Sequence, residues 1–393
     1  MNNLLSLKKR RCPSCGSKNY SNFYINKHYS KIDTKGIIYR FKHILVMCNY
    51  CNLVYSNPWL GEKNTNKIYS NSSIGAAFEK SNKAEKHFKC FKSFFKNKNS
   101  FKKNIKILEI GTATGILLKN ISNYYNLKKK NIFGIEPSKK LFEKLRNNKF
   151  FHIENKFVDQ IKLDKKYDLI ILDNVLEHIE EPNKVLKKIK LFLNENGIIY
   201  IAVPNILEYK KNFRDPFGHT INYYENNIKY LFNSNGFKII EFKKHFNYLN
   251  FTAKINKTND IPKYDFKNDR KLKFKKIKKF LKEAKTYKKK LIKKFTKIEN
   301  TIKKNNLKIL LYGSSNFALE FLNYTNLKKN IKFILDTNPI YHSKKRFGFK
   351  VISPKKIKKI LFDKILITSR AFSDDIFKTL IKLDVPKNKI IKL

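Results

Sequence analysis

Ile105 to Leu118 reads IKILEIGTATGILL. An apolar-rich lead runs into Glu109, Ile110 and Gly111, and a short polar loop ends at Gly115. Apolar spacing resumes with Ile116, Leu117, Leu118 and Ile121. That pattern predicts a buried strand, a tight turn and the opening turns of a helix. Gly111 stands where the strand must break. Lacking a Cβ, it tolerates positive φ and lets a ligand lie against bare backbone. Thr112 and Thr114 bring hydroxyls and N–H groups to a helix N-terminus, where polar ligand groups are favoured.

Spacing narrows the choice of ligand. A dinucleotide fingerprint, G-x-G-x-x-G, would need glycine at 113 and 116, where the chain has Ala113 and Ile116. The pattern present is E-x-G-x-x-x-G, from Glu109 through Gly111 to Gly115. Here the chain resembles the class I methyltransferases that use S-adenosylmethionine. The resemblance implies a Rossmann-like α/β sheet, with Glu109, Gly111, Thr112, Thr114 and Gly115 as cofactor contacts. Asn131 to Ile135 (NIFGI) reads as the next strand, and Glu136 closes it. An acid about one βαβ unit after such a loop can take both ribose hydroxyls. Pro137 and Ser138 then open a helix with Leu141, Phe142 and Leu145 on one face.

Tyr167 to Leu172 (YDLIIL) is a third strand, running into Asp173-Asn174-Val175-Leu176-Glu177-His178-Ile179. The D-x-V-L-E-H-I run resembles the same region of the family. It puts Asp173 and Asn174 at a strand's carboxyl end, where open α/β sheets bind ligands. His178 is read first as a structural hydrogen-bonder and second as a base. The resemblance also sets Asp159, after Val158, beside an adenine. A helix to Leu193 follows, then a turn at Asn196-Gly197 and a strand, Ile198 to Val203. A helix, Asn226 to Asn235, leads through Gly236-Phe237 to a final strand, Lys238 to Phe242. Ahead of the core, Asn57 to Ser73 is a polar loop and about Ala76 to Phe95 a helix. In the family that segment often lids the cofactor, which would be the role of Tyr69.

Near the N-terminus stand two C-x-x-C knuckles, Cys12-Pro13-Ser14-Cys15 and Cys48-Asn49-Tyr50-Cys51. Two knuckles make a closed tetrahedral set of thiolates, the arrangement of a structural zinc, with no position left for a catalytic water. Phe23 to Ile25 and Ile37 to Val46 read as short β segments of a zinc ribbon. Cys90 has no sequence partner, and five cysteines in so long a chain do not make a secreted disulfide scaffold. No h-region and no bilayer-length apolar run is evident, so the expectation is a cytoplasmic, soluble protein.

The formal charge of +55 calls for an explanation. One is an acidic partner such as nucleic acid. The other is compositional, since Lys, Asn, Ile, Phe and Tyr are over-used together. Lysine outweighs arginine and no aromatic–basic motif stands out, which argues against nucleic acid. A nucleic-acid-directed methyltransferase or binder stays as the alternative.

Lys254 to Lys271 reads as a linker. Ile277, Phe280, Ala284, Tyr287, Leu291, Phe295, Ile298 and Ile302 then recur at helical steps, predicting one long basic amphipathic helix. The last third is a second small α/β unit: strands at Lys308 to Tyr312, Ile331 to Leu335 and Lys364 to Thr368, with a Gly313-Ser314-Ser315-Asn316 loop. It is Rossmann-like without the dinucleotide glycines, which argues against NAD. The organisation expected is therefore a zinc-binding module at 1–60, a methyltransferase core at 61–250, linker and helix at 251–306, and a Rossmann-like domain at 307–393.

That order resembles the zinc-containing sugar C-methyltransferases, which methylate a ring carbon of a nucleotide-linked keto-sugar. The C-terminal part of the likeness rests on Leu311-Tyr312-Gly313-Ser314, Leu322-Asn323-Tyr324 and Asp336-x-Asn338-Pro339. It implies a small-molecule substrate, a nucleotide sugar. Carbon methylation needs a base. The family draws it from a Glu-His ahead of an apolar–polar–Tyr run. Ile221-Asn222-Tyr223-Tyr224 matches that run, but Thr220 precedes it and His219 stands one place early. His219 and Tyr223 are thus the candidate catalytic pair, with His178 beside them. The departure leaves oxygen and nitrogen open as acceptor atoms.

Overall fold

A computed structural model describes residues 2–4, 7–32, 38–61, 64–66, 83–97, 101–102, 104–161, 165–208, 219–258, 260–370 and 372–393. Two compact units partition the chain. One comprises Ser6–Lys27 and Lys42–Leu281. The other comprises Met1–Leu5, His28–Phe41 and Lys282–Leu393.

The chain opens with β1 (Asn2–Leu4), β2 (Tyr20–Ile32), β3 (Ile38–Cys48) and β4 (Val54–Ser56). Helix α1 (Lys83–Phe94) precedes β5 (Ile107–Ile110), α2 (Ile116–Tyr124), β6 (Ile132–Ile135), α3 (Lys139–Leu145) and β7 (His152–Glu154). Next come β8 (Tyr167–Asp173), α4 (Pro182–Phe192), β9 (Leu193–Pro204), β10 (Ile221–Asn222) and α5 (Glu225–Ser234). A hairpin of β11 (Phe237–His245) and β12 (Tyr248–Ile255) leads to α6 (Phe266–Lys304).

The larger unit is built on a seven-stranded sheet of order β11-β12-β9-β8-β5-β6-β7. Its five strands β7, β6, β5, β8 and β9 are parallel, and β12 runs antiparallel to both its neighbours. Alternation along the central strands feeds two cores. Leu108, Ile110, Ile170 and Leu172 pack to one face, and Ile107, Leu169 and Ile171 to the other. Burying both faces is what parallel strands require, and it explains their near-continuous apolar sequence. Cys12, Cys48, Cys51, Leu53 and Tyr55 join the first of these cores, and β4 pairs with β10.

The sequence reading missed β12. Tyr248–Ile255 carries Asn250 and Thr252 between its apolar residues and runs into a basic stretch, so it read as the approach to a linker. The expected linker, Lys254 to Lys271, is cut short at its far end too, because α6 begins at Phe266. The turn expected at Asn196-Gly197 is an irregularity inside β9, between the pairs Tyr167↔Leu193 and Leu169↔Ile198.

In the smaller unit, β13 (Ile309–Tyr312), α7 (Asn316–Tyr324), β14 (Ile331–Leu335), β15 (Lys345–Arg346) and β16 (Phe349–Ile352) are followed by β17 (Lys364–Ile367), α8 (Ser373–Lys382) and β18 (Ile390–Lys392). The sheet order is β15-β16-β14-β13-β17-β18, parallel except for β15. Leu291, Phe295 and Ile302 of the long helix belong to this unit's core.

Among the described residues, no helix is long and apolar enough to cross a membrane.

Candidate active site

The loop between β5 and α2 is held tightly from behind. Gly111 has φ of 75° and Gly115 has φ of 71°. The Gly111 and Thr112 N–H groups both donate to the Ile135 carbonyl, at 2.8 and 3.1 Å. A Cβ on Gly111 would stand 2.7 Å from Val175 Cγ2, so glycine is required there by conformation and by space. At the end of β6, Glu136 accepts from the Ala113 N–H through one oxygen and from the Ser138 N–H through the other, each at 2.8 Å. A carboxylate has lone pairs to spare after two such bonds. Burial lifts the Glu136 pKa to about 7, against the pull of those two N–H groups.

Strands β5, β6, β8 and β9 end at a cleft of about 520 Å³. Its walls include every predicted cofactor residue from Glu109 to Asn174 except Gly115, which a Cβ would push into Phe151. Glu109, Glu136 and Asp173 all line it. Glu109 is buried, and among the described residues neither its Oε2 nor the Thr112 hydroxyl has a hydrogen-bond partner. Burial, then the charges of Asp173 and Glu136, hold the Glu109 pKa well above the usual carboxylate range. Crowding and burial hold Glu109 and Glu136 towards their neutral forms in the empty cleft, and a cationic ligand with hydroxyl groups would favour ionising them. Asp159 lies on the same wall, in a short 3-10 turn. Tyr69 lies outside the described residues.

A second cluster lies along the same cleft. His178 and His219 both line it, with ring centroids 4.8 Å apart. Between them is Glu177, whose Oε1 lies 3.9 Å from His178 Nε2 and 4.0 Å from His219 Nε2. Tyr223, the third residue singled out for catalysis, is not a cleft residue. It is fully buried, with its phenol raised by desolvation and then by Glu177, and its hydroxyl has no hydrogen-bond partner among the described residues. Its place in the sequence run pointed to the loop, but the inward face of β10 and its neighbours took the side chain.

Sequence reasoning passed over several residues. His87 on α1 meets Asp173 Oδ1 at 2.8 Å and lies edge-on to Tyr248, at 4.8 Å between centroids. Asn174, with φ of 56°, donates to the same Asp173 oxygen. Glu177 was within the quoted D-x-V-L-E-H-I run, yet only its neighbours were weighed. Arg10 donates to the carbonyls of Ser56 at 3.0 Å, Thr220 at 2.9 Å and Glu180 at 3.2 Å. It thereby ties the knuckle region to both segments that carry the histidines. A lone arginine before a cysteine offers no sequence signal of that.

The four knuckle cysteines converge. Cys12 and Cys51 sulfurs are 3.5 Å apart, as are those of Cys15 and Cys48. Zn–S bonds of about 2.3 Å imply tetrahedral sulfur–sulfur edges of about 3.8 Å, so the donor set fits a zinc ion. Gly16 and Asn52, each just after a knuckle, share positive φ, 74° and 55°. The Tyr50 N–H donates to Cys48 Sγ at 3.4 Å. Sulfur contacts from Cys12, Cys15 and Cys51 push the Cys48 thiol down, towards thiolate.

Comparison with known proteins follows this geometry. A family described as "Methyltransferase domain" matches residues 85–242. Residues 85–242 form an S-adenosylmethionine-dependent methyltransferase domain. A second family, described as "C2185-like, N-terminal", matches residues 305–391. Over 121 residues the chain is 31% identical to a ubiquinone biosynthesis O-methyltransferase from Pelagibacter ubique (strain HTCC1062); the match takes in 28% of this chain and 48% of that protein. The chain thus spans about half the length of that curated relative. Among solved structures, an S-adenosylmethionine-dependent methyltransferase from Clostridium acetobutylicum ATCC 824 matches at 13% identity and a TM-score of 0.34, covering 49% of this chain and 98% of its own. A coclaurine N-methyltransferase bound to N-methylheliamine and SAH matches at 13% identity and a TM-score of 0.32, covering 40% and 50%.

Proposed function

We propose that this chain transfers a methyl group from S-adenosylmethionine to an oxygen or an acidic carbon of a polar small molecule, a nucleotide-linked sugar. The observation that carries the reading is the set of three carboxyl groups, the buried Glu109 and Glu136 and the partly buried Asp173, around the cleft at the strand ends. In this reading Glu136 accepts from the ribose hydroxyls, and Gly111, Thr112 and Thr114 line the loop side. Asp159 serves the adenine end, while Glu109, Asp173 and Asn174 face the cationic end. When bound, the cofactor supplies a methyl on a positively charged sulfur: the acceptor's electron pair forms the new bond, the S–CH3 pair stays on sulfur, and one acceptor proton is released. His178 and His219 receive that proton, and Glu177 balances the resulting charge.

The nucleotide-sugar part of the reading rests on the order of the parts: a zinc module at 1–60, a core at 61–250, the linker and helix at 251–306 and a Rossmann-like domain at 307–393. Cys12, Cys15, Cys48 and Cys51 hold the zinc as a folding staple, and their free thiols fit a reducing, cytoplasmic setting. Methylation of an oxygen of another small molecule is the second reading, favoured by the match to the ubiquinone biosynthesis O-methyltransferase.

Calorimetric titration with S-adenosylmethionine, followed by incubation with labelled cofactor and a panel of nucleotide-linked sugars and catechols, tests both readings. Binding plus label on a sugar is the expected result. Absence of any cofactor binding would remove the reading altogether, and label on the catechols alone would replace the acceptor.

A further inference from the structure

We propose that Glu177, His178 and His219 form a metal site, separate from the cysteine set, that takes one first-row divalent cation on the wall of the cleft. The three residues offer one carboxylate oxygen and two imidazole nitrogens, all within 4.8 Å of one another. Two histidines and a glutamate are a complete protein ligand set for a catalytic zinc, with further positions left open.

The spacing favours an ion over a bare hydrogen-bonded dyad. Both imidazole Nε2 atoms approach the same oxygen, Glu177 Oε1, at 3.9 and 4.0 Å. Those distances exceed a hydrogen bond, which ends near about 3.2 Å. Two ligands on a tetrahedral ion with bonds of about 2.1 Å stand about 3.4 Å apart. Closing the gap between Glu177 and each imidazole takes about half an ångström of side-chain movement, and the two imidazoles, within 4.8 Å of each other, can swing together at their exposed ends. The Glu177 side chain is 2% exposed, while those of His178 and His219 are 22% and 23% exposed. The carboxylate is thus the buried anchor and the imidazoles the cavity-facing arms.

The backbone holds the two arms in register. Thr220, next to His219, donates from its hydroxyl to the Ile179 carbonyl, next to His178, at 3.4 Å. Arg10 bridges the Thr220 and Glu180 carbonyls. The ligand segments are therefore cross-linked before any ion arrives. An ion here, open towards the cleft, would take an acceptor with a hydroxyl or an enolisable carbonyl as its next ligand and lower that oxygen's proton affinity. This catalytic use rests on the methyltransferase reading and would replace proton acceptance by His178 and His219, whose nitrogens the ion would occupy; the existence of the site does not rest on it.

Manganese(II) is the probe, because thiolates discriminate against it and the cysteine set will not compete. The full chain, purified in zinc-containing medium and then dialysed against a weak chelator that empties the open three-ligand site but not the four-thiolate set, is titrated with Mn2+ and followed by paramagnetic resonance. One Mn2+ per chain is expected, with affinity falling at least tenfold in Glu177→Gln and His219→Ala. In the wild type, Mn2+ should broaden the His178 and His219 ring resonances, a readout that needs no variant to fold. No Mn2+ binding, unchanged binding in folded variants, or broadening confined to other residues overturns the proposal. Cofactor calorimetry on the same samples separates the two claims: cofactor bound without Mn2+ sinks only the metal site, and Mn2+ bound without cofactor sinks only the methyltransferase reading.

Discussion

The chain contains the same local device twice, and only one copy is left open. In both, a short parallel strand breaks at a glycine, a loop leads into a helix, and an acid ends the next strand. In the first copy these are β5, Gly111, α2 and Glu136. In the second they are β13, Gly313, α7 and Asp336. Each acid accepts a loop N–H: Ala113 to Glu136 at 2.8 Å, and Ser314 to Asp336 at 3.0 Å. The difference lies in what else is satisfied. Asp336 also takes the Ser314 hydroxyl at 2.6 Å and the Asn338 N–H at 2.9 Å. Ser315 caps the helix and donates to the Thr368 carbonyl, while the Thr368 hydroxyl donates to Tyr312 and Gly313. That loop is closed on its own side chains, the Tyr312 hydroxyl excepted. The first copy leaves the Thr112 hydroxyl and Glu109 Oε2 without partners among the described residues, beside a large cleft. A buried polar group without a partner costs about 1–3 kcal/mol, so its persistence marks where a ligand belongs.

Glycine substitution should separate the copies most sharply. Gly111→Arg forces a side chain into positive φ and against Val175, filling the mouth of the loop. Cofactor affinity should fall at least about a hundredfold by calorimetry. Gly313→Ala meets Ser369 Cβ at 3.2 Å with φ of 108°. Strain of about 1–3 kcal/mol should lower the denaturation midpoint of its unit and leave cofactor affinity alone. Equal loss of cofactor binding in both would break the comparison.

Replacing the acids should give a smaller contrast. Glu136→Gln keeps one accepting oxygen but loses the charge that strengthens ribose hydrogen bonds. A ten- to hundredfold weaker affinity, about 1.4–2.8 kcal/mol, is expected. Asp336→Asn keeps one accepting oxygen and loses the other, leaving without an acceptor either the Asn338 N–H or the Ser314 N–H and hydroxyl. It should cost about 1–3 kcal/mol of stability, read by urea denaturation, with unchanged cofactor binding.

What the sequence carried, and what it could not, follows the same division between local and distant. Glu109, Gly111 and Glu136 were legible because strand, loop and closing acid lie in one βαβ unit, where spacing alone brings them together. The knuckles were legible because each pair is self-contained. His87 was not, since its partner Asp173 is 86 positions away, and a histidine on an amphipathic helix looks like any other. Arg10 reaches Glu180 and Thr220 across still greater separations. Tyr223 misled in the opposite way: its motif position was right for a site, but β10 pairs with β4 and turns it into the core. Asn250 and Thr252 hid β12, because their burial is decided by a sheet whose other strands lie elsewhere in the chain.

The smallest effect expected is also the most specific to the open copy. Glu136, 5% exposed, titrates near about 7 rather than 4.5 because it is desolvated. A raised folded-state pKa means the native state holds a proton that the unfolded chain has lost. The resulting stability is complete below pH 4.5 and disappears as pH rises through about 7. Between pH 5.5 and 7.5 the ligand-free protein should lose about 2 kcal/mol from this group, and Glu136→Gln should lose none of it. Ligand affinity should run the other way, because the ionised carboxylate is the better acceptor for ribose hydroxyls. With half-ionisation near 7, binding should tighten about tenfold between pH 6 and pH 8 in the wild type and stay flat in Glu136→Gln. Opposite pH slopes for stability and affinity, both erased by one isosteric substitution, would tie them to this carboxyl group. Parallel slopes in the wild type and the variant would assign the titration to another group and remove Glu136 from the ribose.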